Sequence, residues 1–419
     1  MKIAIVGTGI SGLGAAYMLH PRYDITVYEK NDYIGGHGRT VDVKTADGTV
    51  PIDTGFIVFN FKNYPLLSSL FKHLKVPIAK SSMSFGVSFN KGWLEYGTQN
   101  FFSIFAQKRN LLRLAFWQML SSILRFNRKS HKYLNRNSSL SLGECLDRLN
   151  MNRWFREYYL LAMGAAIWST PLNEMLDFPA ETFIRFFDNH GLLTISDRPQ
   201  WYTVVGGSRE YIHRLTCSFR DTIKLNCGVQ RVIRHNNNIE VIDTQGDRTR
   251  YDHVIFACHP DQALALLENH SSEERAIIGI FRYQPNQMSL HSDISFMPRC
   301  PKAWSSWVYL SENCHDDDRS AVSLSYWMNS LQPLGTKVPF ISTLNPRREP
   351  DAALTHDRYI FEHPVFDKAA IDAQKKLSIV QGKTRVWYCG AWQRYGFHED
   401  GLLSAVNVAK QLGADVSWA

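Results

Sequence analysis

The sequence predicts an α/β fold in which one doubly wound domain is assembled from separated stretches of chain and an α+β domain fills the intervals. Two observations at opposite ends predict it. Near the start, the apolar strand Lys2–Val6 runs into Gly7-Thr8-Gly9-Ile10-Ser11-Gly12, a helix follows, and a second strand, Tyr23–Tyr28, ends on Glu29. Near the end, Arg385–Cys389 reads as another buried strand, followed by Gly390, a loop, and a helix opening at Asp400-Gly401-Leu402. A third observation is length, since 419 residues exceed a usual single domain and allow two substantial cores.

The first segment has a physical reason at each position. Gly7 permits the tight strand-to-helix turn, Gly9 lets the backbone approach a pyrophosphate, and Gly12 lets the helix lie close on the strand. The diphosphate then sits on the helix N-terminus at Ile10 and Ser11, where free N–H groups favour negative charge. Glu29, 22 residues after Gly7, is placed to accept hydrogen bonds from ribose hydroxyls, and its charge disfavours a 2′-phosphate. These features mark a Rossmann-like dinucleotide-binding unit without choosing NAD over FAD.

The next segment, Glu29-Lys30-Asn31-Asp32-Tyr33-Ile34-Gly35-Gly36-His37-Gly38-Arg39-Thr40, resembles the flavin-containing amine oxidase superfamily, which includes monoamine oxidases, protoporphyrinogen oxidase and phytoene desaturases. The resemblance implies that the region from Lys30 through Gly36 to Arg39 and Thr40 wraps the diphosphate and ribityl chain of FAD. Here the arginine comes two residues late. Three further segments resemble the family in order: Asp53-Thr54-Gly55 as a loop towards the flavin, Cys227-Gly228-Val229 as the strand meeting adenine, and Asp252–Pro260 as the strand and turn closing the cofactor domain. The implied cofactor is noncovalent FAD, because no cysteine matches the family's covalent one.

At the C-terminal end the resemblance puts Gly390 beside the cofactor, and the amides of Gly401 and Leu402 face the flavin's pyrimidine edge, where negative charge gathers on reduction. The other reading is an ordinary amphipathic last helix, since Leu402, Leu403, Ala405, Val406 and Ala409 follow helical spacing. Where the family often carries an acid after the strand's glycine, this chain has Ala391-Trp392.

The expected organisation is a Rossmann-like FAD-binding domain from residues 1–80, 200–270 and 376–419, with an α+β substrate domain from 81–199 and 271–375. No linker, repeat or low-complexity tract interrupts it. Seven scattered cysteines without a Cys-x-x-Cys pair indicate neither a disulfide scaffold nor a zinc site. Cys314-His315 beside three aspartates reads as a solvated acidic loop, so no metal site is expected. The apolar N-terminus is consumed by the nucleotide turn and lacks a cleavage site, which points to a cytoplasmic protein.

The net charge of +8 has a local origin. Tyr96 to Gly143 contains no acidic residue, while eight lysines and arginines from Lys108 to Arg136 alternate with aromatic and aliphatic side chains. Residues 101–136 therefore read either as an amphipathic element lying on the inner face of a membrane or as a helix pair packed on its own domain with a solvated basic rim. Arg113 and Gln118 break the apolar run, which excludes a bilayer span, and no nucleic-acid motif accompanies the charge.

In amine oxidases an aromatic residue stands two positions before the acid–glycine pair that opens the last helix. Here the position counted for it is His398, followed by Glu399, and the pair could move a proton beside the flavin or only tie the loop down. Lys302 reads as a surface lysine. The segments Ala165–Pro171, Tyr326–Gln332 and Gly396–Leu402 resemble a bacterial subgroup linked to cyclopropane-fatty-acid synthesis, which implies a fatty-acyl or lipid substrate, and an aromatic substrate pocket is expected from Trp168, Trp327, Trp392 and Tyr395. The expected activity is hydride transfer between FAD and an apolar substrate. The alternatives are an amine oxidase releasing imine and peroxide, and a silent flavoprotein partner of a lipid-modifying enzyme.

Overall fold

The computed structural model describes residues 1–134, 140–168, 174–189, 191–194, 199–311 and 323–418. At its centre lies a parallel sheet of β1 (Lys2–Val6), β2 (Asp24–Tyr28), β3 (Ile223–Lys224), β4 (His253–Phe256) and β5 (Val386–Tyr388), in the order β3-β2-β1-β4-β5. Ile3 to Val6 are all buried because both faces of the sheet are covered. Ile3 and Ile5 join one core with Ile25, Val27 and Ile255, and Ala4 and Val6 join the other with Val254, Phe256 and Tyr388. This is the two-residue period of a strand.

Four helices matter most: α1 (Ile10–Leu19), α2 (Pro65–His73), α3 (Leu114–Lys129) and α4 (His398–Gln411). Leu13 and Ala16 of α1 and Leu402, Ala405 and Val406 of α4 pack on the first face. An antiparallel sheet of Val229–Arg234, Ile239–Asp243 and Arg248–Tyr251 contributes to the core on the second. The chain leaves β1 for β2 on one side and returns at β4 on the other, so the carboxyl end of β1 is a topological switch point, where such sheets bind ligands.

The second sheet has seven strands in the order Thr355–Val365, Arg282–His291, Ile341–Leu344, Leu324–Trp327, Trp307–Ser311, Phe85–Phe89, Leu94–Gly97. All pairs are antiparallel except Trp307–Ser311 with Phe85–Phe89. Its core also takes in Phe116 and Phe126 from α3, and Phe155, Phe183 and Phe187 from neighbouring helices. The mixed α/β class expected from the sequence is the class found. Among the described residues no helix is long and apolar enough to cross a membrane, and Cys314-His315 lies outside them.

Candidate functional site

The turn after β1 forms a cradle. Gly7 has φ +106°, and a Cβ there would stand 2.8 Å from the Ala257 carbonyl oxygen. A Cβ on Gly12 would stand 2.0 Å from the Gly7 oxygen, so α1 sits directly on the turn. Gly9 differs, because a Cβ there would meet nothing within 4 Å. The first helical bond runs from Leu13 N–H to the Gly9 carbonyl at 2.9 Å, leaving the amides of Ile10, Ser11 and Gly12 without an acceptor inside the helix. Gly36, at φ +56°, brings the second glycine loop against Gly9: its Cβ would lie 3.0 Å from Gly9 Cα. Gly401 closes a third side, with a Cβ position 2.8 Å from Ser11 Oγ. Open space bounded by free helix amides and glycine backbone is the form a diphosphate requires, and the residues fit FAD.

The residues expected on the adenosine side come together at the end of β2. The Glu29 carboxylate accepts from Thr8 N–H at 3.1 Å, from the Thr8 hydroxyl, and from Asn31 N–H at 2.9 Å. Cys227 N–H donates to the Glu29 carbonyl at 2.9 Å, and a Cβ on Gly228 would touch Lys30 Cβ at 3.2 Å. Glu29, Lys30 and the buried Val229 therefore lie together at the end of β2.

Arg39, Thr40, Asp53 and Thr54 form the wall of the site. Arg39 bonds the Asp357 carboxylate through both terminal nitrogens, at 2.6 and 3.2 Å, and also donates to Thr54 Oγ1 at 3.2 Å. Its two-residue displacement in the sequence turns it towards the strand Thr355–Val365. Buried Asp53 accepts from Thr40 Oγ1 (2.7 Å), Ser208 N–H (2.8 Å), Ser208 Oγ (2.9 Å) and Gln332 Nε2 (2.9 Å). Burial raises its carboxyl to about 6 against the lowering effect of these bonds. Gly55 is required because a Cβ would stand 2.1 Å from the His37 carbonyl oxygen.

His398 sits beside this wall in a setting the sequence did not announce. Its ring stacks on Phe56 with centroids 3.9 Å apart, and Nε2 lies 3.1 Å from the Tyr211 hydroxyl. Burial, then the nearby His37, push its pKa down to about 3, while burial raises the Tyr211 phenol. A neutral His398 and a neutral Tyr211 thus share one hydrogen bond, and the histidine carries a single ring proton. His37, pushed down to about 4 by burial, has its ring 5.0 Å from Phe361 and 5.3 Å from His363. His37 and Phe56 directly follow Gly36 and Gly55, a usable signal; nothing local marks Tyr211 or His363.

Several expectations are corrected. The last helix opens at His398, two residues earlier than read, so Gly401 N–H already donates to the Phe397 carbonyl at 3.1 Å and Leu402 is fully buried. The helix opens early because the Asp400 carboxylate reaches back to Tyr395 and Phe397 N–H, at 3.2 and 3.0 Å. The free amides there are those of the first turn. Glu399 does not face His398: its two oxygens accept from Leu66 and Leu67 N–H, each at 2.9 Å, and cap α2.

Of the four aromatic residues, the three whose side chains are described do not make one pocket. Trp327 packs with Trp304 behind the seven-stranded sheet, on the face opposite Tyr326. Tyr395 lines an outer groove with Phe178 and Phe366. Trp392 is buried against Phe281, and its Nε1, unpartnered, lies over Gly390. Trp168 ends the helix Leu161–Trp168, and its side chain lies outside the described residues. Gly390 itself is tied to α4, its N–H donating to Ser404 Oγ at 2.8 Å. Lys302 is exposed.

Residues 10–286 match the family model described as flavin containing amine oxidoreductase. None of the curated proteins compared matches the chain. Similar solved structures include a fatty acid isomerase from P. acnes, with 14% identity over 98% of each chain and a TM-score of 0.68. Cyclohexylamine oxidase from Brevibacterium oxydans IH-35A has 16% identity over 98% of this chain and 99% of its own, with a TM-score of 0.68. A putrescine oxidase variant has 14% identity over 98% of each chain and the same TM-score. At these identities the likeness concerns the fold. The family match covers most of the chain, starting at the helix that heads the cradle, and it leads to one conclusion: the chain belongs to the flavin containing amine oxidoreductase family and is an FAD-dependent oxidoreductase.

Proposed function

We propose that the protein transfers a hydride between FAD and an apolar substrate of the fatty-acyl or lipid class. One observation carries the choice of substrate. The buried acids Asp53, Glu399 and Asp400 all have carboxylates engaged by protein donors, and the rings packed around His398 are phenylalanine and tyrosine, with the histidine itself neutral. Among these described carboxylates a protonated amine would have to compete with the donors already bound, whereas an uncharged chain loses nothing by entering such surroundings. The fatty acid isomerase with the same fold is compatible with this reading.

When bound, FAD supplies the two-electron chemistry. The chain's residues hold and orient. The amides of Ile10, Ser11 and Gly12 would take the diphosphate, Glu29 the ribose, and Val229 the adenine edge. The unpartnered Trp392 Nε1 beside Gly390 supplies a donor where the family often has an acid. Binding is noncovalent: Cys258, next to the cradle, has its thiol pushed up to about 12 by burial and is a poor nucleophile. His398, neutral and held by Tyr211, acts as a neutral hydrogen-bonding ring rather than as a proton carrier.

The test is anaerobic mixing of the FAD-loaded protein with long-chain acyl compounds and, separately, with primary amines, following loss of the 450 nm-region flavin band. Bleaching by acyl compounds alone is expected. Bleaching by amines, with peroxide released in air, would establish the amine oxidase alternative instead.

A further inference from the structure

Residues 101–117 and the exposed side of α3 carry an apolar surface at odds with the rest of the molecule. Phe102, Leu112 and Leu114 are 78%, 90% and 73% exposed, with Phe101, Trp117 and Leu124 also projecting. Side chains of this size do not face water in a cluster without a partner. α3 is anchored from behind, because Phe116, Met119, Ser122 and Phe126 are buried at helical spacing and three of them pack in the core beside the seven-stranded sheet. The outward residues are therefore held in place, not left over from loose folding.

The charge carried by this stretch of chain has one sign. No acidic residue occurs from Tyr96 to Gly143. Lys108, Arg109, Arg113, Arg125, Arg128 and Lys129 form no ion pair among the described residues. Arg109 and Arg113 are steadied by the Trp93 carbonyl, at 2.8 and 3.1 Å. Beside them opens a recess of about 500 Å³ lined by Lys91, Lys108, Arg109 and Arg299. Its only carboxylate, Glu95, accepts from Ser88 Oγ (2.8 Å), Arg299 N–H (2.8 Å) and Cys300 N–H (2.9 Å), so it is held inward. Arg136 lies outside the described residues.

We propose that this face docks on an anionic phospholipid bilayer. Phe101, Phe102, Leu112 and Leu114 enter the boundary between headgroups and acyl chains, and the surrounding cations, with the recess beside them, meet the lipid phosphates. A complementary protein face would need its own continuous acidic ring around an apolar centre; an anionic bilayer offers that arrangement everywhere on its surface. The inference does not depend on what the site oxidises or reduces.

Flotation of the FAD-loaded protein with vesicles tests it. Phosphatidylglycerol-containing vesicles should carry the protein at 0.1 M salt, and binding should weaken at 1 M salt as the Debye length falls from about 10 Å to about 3 Å. Leu112→Ser with Leu114→Ser should weaken binding by roughly tenfold or more, given the burial lost per side chain, with FAD content and melting temperature unchanged. Arg128→Glu with Lys129→Glu should do the same while the apolar residues remain. Failure of the wild type to float, or undiminished binding by both variants, overturns the proposal. So does a concentration-dependent dimer that disappears in Leu112→Ser/Leu114→Ser without vesicle binding, which assigns the face to a second copy.

Discussion

His398 lies flat on Phe56, with planes 16° from parallel, and this stack fixes a ring from the last helix against the loop that follows Asp53. With Nε2 hydrogen-bonded to the Tyr211 hydroxyl, the imidazole is held in one orientation. A ring that stays neutral down to about pH 3 is a poor proton carrier near pH 7 but a steady donor. His398→Asn, which keeps a neutral N–H, should therefore retain more activity than His398→Phe, with FAD content intact in both. The pH–rate profile should show no limb that His398→Asn removes. If His398 instead carries a proton in the reaction, both variants should lose roughly a hundredfold or more together.

Gly9 and Gly12 separate binding from folding. Gly9→Val should fold with little change in melting temperature, because its Cβ position is empty, yet purify without FAD. Gly12→Ala should destabilise the protein itself, because the added carbon would lie 2.0 Å from the Gly7 oxygen and α1 would have to lift from β1. Absorbance at the flavin band and thermal melts of the two variants decide it. A yellow, fully loaded Gly9→Val would remove the diphosphate from this cradle.

The cradle was legible because its causes are local: a glycine turn, a strand before it, and an acid after the next strand sit within thirty residues. The start of the last helix was misread because Asp400-Gly401 resembles a helix entry. Gly401 is instead an internal glycine whose missing side chain lets α4 rest on Ser11 and Ile10. The aromatic pocket was misassembled for a different reason. Trp327 and Tyr326 are adjacent in sequence, but a strand sends neighbours to opposite faces, and nothing in the composition says which face meets the cofactor. Tyr211, 187 residues from His398, could only be found in three dimensions.

Stability should fall on acidification. His37, His363 and His398 are held by burial at about 4, 3 and 3, below an unfolded value of about 6.5. Between those values the unfolded chain binds more protons, so stability drops as pH falls from about 6.5 towards 4. Asp53 acts the other way, because its folded carboxyl titrates at about 6, above its unfolded value of about 4, and it is better tolerated once protonated. Glu399 and Asp400, also raised by burial, act with Asp53, and His259 and His291, pushed down to about 4, act with the other histidines, so five histidines outweigh three carboxyls. Melting temperature should decline from pH 7 to pH 5, and His363→Asn should flatten the slope; a melting temperature that rises over this range would contradict the assignment.

Arg39 and Asp357 provide the most direct test of how this chain departs from its family. The pair is largely buried, with side chains 18% and 19% exposed, bidentate, and covered by the Tyr359 ring 4.4 Å from the guanidinium. Breaking such a pair leaves one charge poorly solvated, a loss on the order of 3 kcal/mol. Asp357→Asn and Arg39→Met should each lower stability, and the double variant should lose less than the sum of the two, as expected when both single changes break the same contact. Loss of FAD should be secondary, following the loosened Gly35–Gly38 loop, and should be similar in Asp357→Asn and Arg39→Met. If Arg39 held the diphosphate itself, Arg39→Met would lose FAD while Asp357→Asn, with the arginine freed to reach the cradle, would bind it as well as the wild type. Urea melts of the four proteins, with flavin released on denaturation measured in each, distinguish an arginine that braces the wall from one that grips the cofactor.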